Sequence, residues 1–367
     1  MGPFRTDGVM RLGFVVYGSL RELSGGFRYD RELVESLRER GHVVQVLTLP
    51  WESYGRCLLH NLSRTLRARL SSFDVLIEDH LCHPSLIWTN RDLDTPIVSV
   101  VHHLRSDEPR PKWKNGGYRM VERHYVRNLD GAICNSETTR KSVTNLFGSG
   151  DSNELPTVVA YPAGDRFEPL PPIRREFSGT LRLVFLGNQI PRKGLHVLLR
   201  GLSSVSGNWH LTVIGARTDK KYADRVRRLR DVLGLGEKVS FTGRLPDEAV
   251  AGHLTRSHVL AVPSLYEGFG LVYLEGMAFG LPAIATTAGG ASEIVSDGEN
   301  GFLLPPDDPD AIAEVVRTLR DDRTLLRRMS SSARERYDVH PGWDDATEAV
   351  ERLLDTVVEN ERISTKP

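Results

Sequence analysis

Short apolar runs alternate with segments of helical period along almost the whole chain, and this alternation leaves few folds open. An apolar run, an amphipathic helix and a second apolar run make a βαβ unit, whose strands pair in parallel beneath helices on both faces. The runs fall at Leu12–Tyr17, Val43–Leu47, Asp74–Glu78, Ile97–Val101, Gly131–Cys134 and Thr157–Ala160. They resume at Leu181–Leu186, His210–Ile214, Lys238–Phe241, His258–Val262 and Pro282–Ala285. The predicted fold class is therefore α/β, with two open parallel sheets.

The two sheets are separated by Tyr161–Thr180, where Pro162, Pro169, Pro171 and Pro172 crowd a stretch without apolar periodicity, as a linker does. A prior of roughly 150 residues per domain gives about two domains for 367 residues. We expect a first domain over residues 1–165, a second over 175–340, and a C-terminal helix in 341–367 that packs back toward the first. In that helix Ala349, Val350, Leu353, Leu354 and Val357 share one face.

Composition narrows the function. With 40% hydrophobic and 26% charged residues the chain is an ordinary globular protein, not a disordered, collagen-like or coiled-coil one. Its 48 basic residues balance 48 acidic ones, so nothing in the overall charge favours nucleic acid as a partner. Cys57, Cys82 and Cys134 are odd in number and contain no C-x-x-C pair, so neither a disulfide framework nor a thiolate zinc site is indicated, which suits a reducing compartment. The stretch Met1–Arg11 leads into no signal-peptide run, and no apolar stretch approaches the roughly 18 residues of a membrane span. The expectation is a cytoplasmic protein.

In open α/β sheets ligands bind beyond the carboxyl ends of strands, where helix N-termini favour anions. Ser24-Gly25-Gly26 lies after the first run and before a helix with Leu33, Val34 and Leu37 inward, so it is either a turn or a phosphate cradle. Gly187 to Gly194 follows the first run of the second sheet. It is no Walker A loop, because Arg192 precedes Lys193 and Gly194 follows it, yet Lys193 at a helix entrance suits a diphosphate. Neither Gly268-Phe269-Gly270 nor Gly234-Leu235-Gly236 completes a dinucleotide fingerprint, which argues against a nicotinamide enzyme. The most informative stretch runs from Pro263 to Pro282. There Glu267, in a Gly-rich turn, and Glu275, inside the next helix, bracket seven residues. Carboxylates among Leu274, Met277 and Ala278 need partners, which sugar hydroxyls would supply; the alternative is that Glu275 faces solvent.

The Glu-x7-Glu element with Gly268, Phe269, Gly270 and Leu271, the loop ending Lys193-Gly194, Gly25-Gly26, and later Gly289-Gly290, Glu293 and Asn300-Gly301-Phe302 resemble family 4 of the retaining glycosyltransferases. The resemblance covers nearly the whole chain and is most specific in the second half. It implies the GT-B fold, two facing Rossmann-like domains with an interdomain cleft, the first binding the acceptor and the second a nucleotide-diphosphate sugar. It also implies roles residue by residue. Glu275 would hold the ribose hydroxyls, Glu267 the donor sugar, Lys193 the diphosphate, and the backbone of Phe269, Gly270 and Leu271 sugar and phosphate. Gly25 and Gly26 would offer N–H groups to the same diphosphate, and His102 matches the active-site histidine. The catalytic candidates are thus His102, Lys193 and Glu267. One position departs: the family usually has Arg where this chain has Asn188, so Arg192 must swing in, or leaving-group stabilisation is weaker, or donor choice differs.

The expected reaction is transfer of a hexose from a UDP- or GDP-sugar to the hydroxyl of a sugar, lipid-linked or small-molecule acceptor, with retention, without a metal and without a further cofactor. A sugar-nucleotide epimerase, a glycan phosphorylase and a non-catalytic nucleotide-sugar-binding protein are the alternatives on this fold. Glu78, Asp79, His80, His83, His102 and His103 read better as substrate-facing residues than as metal ligands. Asp92-Leu93-Asp94 reads as a turn, and Asp308 and Pro309 as a helix start. Leu58, Leu59, Leu62, Leu66 and Leu70 fall opposite Arg56, Arg64 and Arg67. We expect these leucines to pack on the first sheet; the other reading is peripheral docking at the inner membrane face.

Overall fold

In a computed structural model of the chain, residues 8–21, 25–148, 154–168, 170 and 175–364 are described, and the chain divides into two compact units. Ser24, Pro169, Pro171 and Pro172 lie outside the described residues. The first unit comprises residues 1–162 and 341–367, and the second 163–340.

The first unit is built on a parallel sheet of β1 (Arg11–Tyr17), β2 (Val43–Leu49), β3 (Val75–Asp79), β4 (Ile97–Val101), β5 (Gly131–Cys134) and β6 (Thr157–Val159), ordered β2-β1-β3-β4-β5-β6. The central strands β3, β4 and β5 are buried at every position, which is why they read as mainly apolar runs rather than alternating ones, with only Glu78, Asp79 and Ser99 as polar members. Its helices are α1 (Gly25–Glu39), α2 (Tyr54–Cys57), α3 (Arg64–Leu70), α4 (His83–Leu86), α5 (Lys112–Val126) and α6 (Glu137–Phe147). The last helix of the chain, Trp343–Ser364, also belongs here: Ala346, Val350, Leu353, Leu354, Val357 and Val358 join Leu33, Leu37 and Val98 in one core.

The second unit repeats the plan with β7 (Leu181–Leu186), β8 (Trp209–Ile214), β9 (Val239–Gly243), β10 (Val259–Ala261), β11 (Ala283–Thr286) and β12 (Gly301–Leu304), ordered β12-β11-β10-β7-β8-β9 and parallel throughout. Its helices are α7 (Leu195–Ser203), α8 (Lys220–Val232), α9 (Asp247–Arg256), α10 (Leu271–Ala278), α11 (Pro309–Asp321) and α12 (Arg323–Asp338); we number the C-terminal helix α13. Asp308 caps α11, its Oδ1 accepting from Ala311 N at 2.9 Å ahead of Pro309. Strand order reverses between β1 and β3 in the first unit and between β7 and β10 in the second, and these switch points are where such sheets bind ligands.

One expectation is corrected. The leucine stripe at 58–70 is not one helix face on the sheet: α2, a 3-10 turn over Leu58–Leu62 and α3 follow in succession, Leu66 and Leu70 are buried, and Leu59 and Leu62 are exposed. Asn61, next to last in the 3-10 turn, sets the break by donating to Leu58 O and Pro84 O and accepting from the Trp88 and Thr89 N–H groups. Arg67 is not merely solvated, since it pairs with Asp92 at 2.8 Å. No helix among the described residues is long and apolar enough to cross a membrane.

Candidate active site

At the switch point of the second unit, three loops meet through their backbones. Leu265 N donates to Arg192 O at 2.7 Å, Glu267 N to Ala288 O at 3.1 Å, and Gly290 N to Glu267 O at 2.9 Å. Glycine is required where the loops touch: a Cβ on Gly194 would lie 1.9 Å from Pro263 O, and one on Gly289 1.9 Å from Glu267 O, both at positive φ. The result fixes the β7 loop, the β10 turn and the β11 loop against one another.

Glu267 stands at the centre of this junction, buried. Its Oε1 accepts from Ser264 Oγ at 2.6 Å and from Lys193 Nζ, and its Oε2 accepts from Arg192 Nη1 at 3.2 Å. Burial alone would raise its pKa, but the Lys193 and Arg192 charges outweigh it and hold the carboxyl down at about 2. Arg192 also donates to Tyr266 O at 2.8 Å. Arg192 and Lys193 therefore converge on one carboxylate, a local excess of one positive charge. Asn188 is half-buried on the same β7 loop, and its neighbour Gln189 is tied to Gly215 O at 3.0 Å.

Phe269, Gly270 and Leu271 lead from this turn into α10, which Gly270 enters at positive φ with Tyr273 against it. Positions 272–278 of α10 are all buried, so Glu275 is not on a solvated face. Its two carboxylate oxygens lie 3.3 and 3.2 Å from Arg166 Nη1, and Arg166 Nη2 donates to Asp247 at 2.7 Å. Sequence reading passed over Arg166 and Ser264: the Arg166–Glu275 pair spans 109 residues, and no local pattern announces it.

In the first unit, His102 follows β4 and its Nε2 lies 3.0 Å from Oδ1 of buried Asp30, on α1. Burial would lower its pKa, but the charge and hydrogen bond of Asp30 outweigh this and raise it. Gly25 and Gly26 open α1, and a Cβ on Gly26 would lie 3.2 Å from His102 Cδ2, so the glycine leaves room for the imidazole. Asp79, buried beside Asp30, has its pKa raised by burial and by that neighbouring charge. Asp30 is a further residue that the sequence reading missed. His80 and His83 cluster with Glu122: His80 Nε2 is 3.1 Å from Glu122 Oε1, and one nitrogen or oxygen from each of the three falls within 4.8 Å of the others, a set that could hold a metal ion.

Two family models match the chain, Glycosyltransferase Family 4 over residues 23–153 and Glycosyl transferases group 1 over residues 168–336. The chain belongs to glycosyltransferase family 4. This glycosyltransferase is 28% identical over 290 residues to glycogen synthase of Mycobacterium tuberculosis, across 77% of this chain and 68% of that protein. It is 31% identical over 243 residues to a GDP-mannose-dependent alpha-(1-6)-phosphatidylinositol monomannoside mannosyltransferase of the same species, across 62% of each chain. Among solved structures, Anabaena Alr3699/HepE in complex with UDP and glucose superposes with a TM-score of 0.75 at 18% identity, over 95% of this glycosyltransferase and all of that chain. That likeness establishes the GT-B fold.

Proposed function

We propose that the protein transfers a hexose from a UDP- or GDP-sugar to an acceptor hydroxyl with retention and without a metal. The observation that carries this reading is the Arg192–Lys193–Glu267 cluster at the β7/β10 switch point. Two cations on one loop suit a diphosphate whose charge grows as the glycosidic bond breaks, and Arg192 supplies the second positive charge that Asn188 does not. Glu267 then hydrogen-bonds the donor sugar, Glu275 the ribose hydroxyls, and Phe269, Gly270 and Leu271 present backbone groups to sugar and phosphate. His102, Gly25 and Gly26 of the first unit are assigned to the same reaction, with His102 oriented by Asp30. A carboxylate held at about 2 is a poor base at neutral pH, which supports attack on the front face with the departing phosphate taking the acceptor's proton. The named relatives support both donor classes: one uses GDP-mannose and one structure holds UDP.

The test is release of nucleoside diphosphate from a panel of UDP- and GDP-hexoses with candidate acceptors, together with the anomeric configuration of the product by NMR. Retention with loss of about 100-fold in Lys193→Ala supports the reading. Inversion, or full activity of both Lys193→Ala and Glu267→Gln, overturns it.

A further inference from the structure

The first unit carries a cavity of about 240 Å³ whose walls include Tyr17, Trp51, Tyr54, His80, His83 and Arg105. These residues sit at or just beyond the carboxyl ends of β1, β2, β3 and β4, around the β1/β3 switch point. The cavity is distinct from the His102–Asp30 pair, neither of which lines it.

Two of its polar groups lack a protein partner. The guanidinium of Arg105 stacks over Tyr118 at 4.8 Å and Tyr54 at 5.5 Å from the ring centroids, its Nε is buried without a hydrogen bond, and it enters no ion pair among the described residues. Of the neighbouring carboxylates, Glu108 and Glu122 are already engaged, and Glu52, which also lines the cavity, is exposed to solvent. Glu108 takes His103 at 3.1 Å and Arg110 at 2.6 Å, and Glu122 takes His80 Nε2 at 3.1 Å and the backbone N–H groups of Arg105 and Ser106 at 2.6 and 3.1 Å. A cation left unpaired in a concave site is matched by an anion on the ligand. The second group is Nδ1 of His80, also buried without a partner while Nε2 lies 3.1 Å from Glu122 Oε1, and a ligand hydroxyl, which can donate or accept, would satisfy it. His83 completes the polar wall as a neutral imidazole. Burial and the adjoining His80 push its pKa down to about 3, its Nδ1–H donates to His80 O at 2.8 Å, and its Nε2 accepts from Tyr54 OH at 2.9 Å. The opposite wall is aromatic: Trp51, 61% exposed, stands edge-on to Tyr17 at 5.0 Å and presents ring surface for the C–H face of a sugar.

We infer that this cavity binds a small sugar bearing a phosphate or carboxylate, with Arg105 selecting the anion and His80 a ring hydroxyl. That the bound molecule is the acceptor rests on the transferase reading above; that it binds does not. The two readings fail separately, because nucleotide binding is measured on its own.

Calorimetric titration of the full chain with glucose 6-phosphate, glucuronate, glucose and inorganic phosphate tests this. We expect glucose 6-phosphate or glucuronate to bind at least about tenfold more tightly than glucose, the arm that wins naming the anion. Arg105→Gln should erase that preference while leaving glucose affinity and nucleotide binding unchanged, and Arg105→Lys should keep part of it. Equal affinity for glucose and both anionic sugars, an unchanged preference in Arg105→Gln, phosphate binding as tightly as glucose 6-phosphate, or no binding by any of the four at millimolar concentration each overturns the inference. Should Arg105→Gln not fold, the wild-type ratios and Arg105→Lys still decide it.

Discussion

Lys193 and Glu267 form an ion pair that joins the loop after β7 to the turn after β10, with Arg192 on the second oxygen of the same carboxylate. Removing the acid leaves two cations side by side. Glu267→Gln should cost on the order of 2 kcal/mol of stability, less than a fully buried pair because both cations keep partial contact with solvent. Urea unfolding measures that loss, and a loss below about 0.5 kcal/mol would mean the cations are screened by water instead.

Gly26 faces His102 with 3.2 Å between its missing Cβ and the ring. Alanine here gains up to about 1 kcal/mol of helix propensity in the first turn of α1, which offsets the crowding, so stability should change little. The imidazole, however, must move away from Asp30. Transfer should fall about tenfold or more in Gly26→Ala with an almost unchanged unfolding midpoint. A fall in stability with normal turnover of the folded fraction would show the glycine to be structural only.

The sheet and its helices are legible in the sequence where physics is local. The strands buried on both faces or nearly so, Leu181–Leu186 and Ile97–Val101 among them, announce themselves as apolar runs interrupted only by Arg182 and Ser99. Strand β12 escapes that reading because Gly301–Leu304 is short, opens on glycine and keeps Phe302 and Leu303 half-exposed. The two glutamates and Lys193 stand out as charges in apolar or glycine-rich settings. Their partners do not: Asp30 and His102 are 72 residues apart and Arg166 and Glu275 are 109, so only the folded chain reveals them. Leu59 and Leu62 keep helical spacing yet face solvent, since they lie in a 3-10 turn that Asn61 pins through bonds to Pro84, Trp88 and Thr89.

Two glycines separate backbone strain from close approach. Gly289 and Gly298 both adopt positive φ, but a Cβ on Gly289 would meet Glu267 O at 1.9 Å while one on Gly298 would meet nothing within 4 Å. Gly298→Ala should therefore cost about 1–2 kcal/mol and Gly289→Ala roughly 3 kcal/mol or more, with loss of transfer in the second alone. Paired thermal unfolding and turnover of the two variants measure both effects. Equal costs would show that the β10–β11 junction opens easily.

Glu78, wholly buried in β3, accepts from Asn90 at 2.9 Å and Tyr125 at 2.8 Å, yet burial raises its carboxyl from 4.5 to about 7. Between these values the native protein keeps a proton that the unfolded chain has lost, so stability falls as pH rises through that window. The fall attributable to Glu78 is on the order of 3 kcal/mol, with Asp79 adding in the same direction. Glu78→Gln should flatten the profile of unfolding free energy against pH across this window. An unchanged profile would show that Glu78 is ionised in the native state.

The central claim is a nucleotide-sugar site at the β7/β10 switch point, and thermal unfolding with UDP, GDP, ADP and their sugars tests it most directly, since a ligand that binds only the native state raises the midpoint. The account predicts a selective rise with a uridine or guanosine nucleotide that disappears in Glu275→Ala. No rise with any nucleotide, or one that persists undiminished in Glu275→Ala and Lys193→Ala, would contradict it.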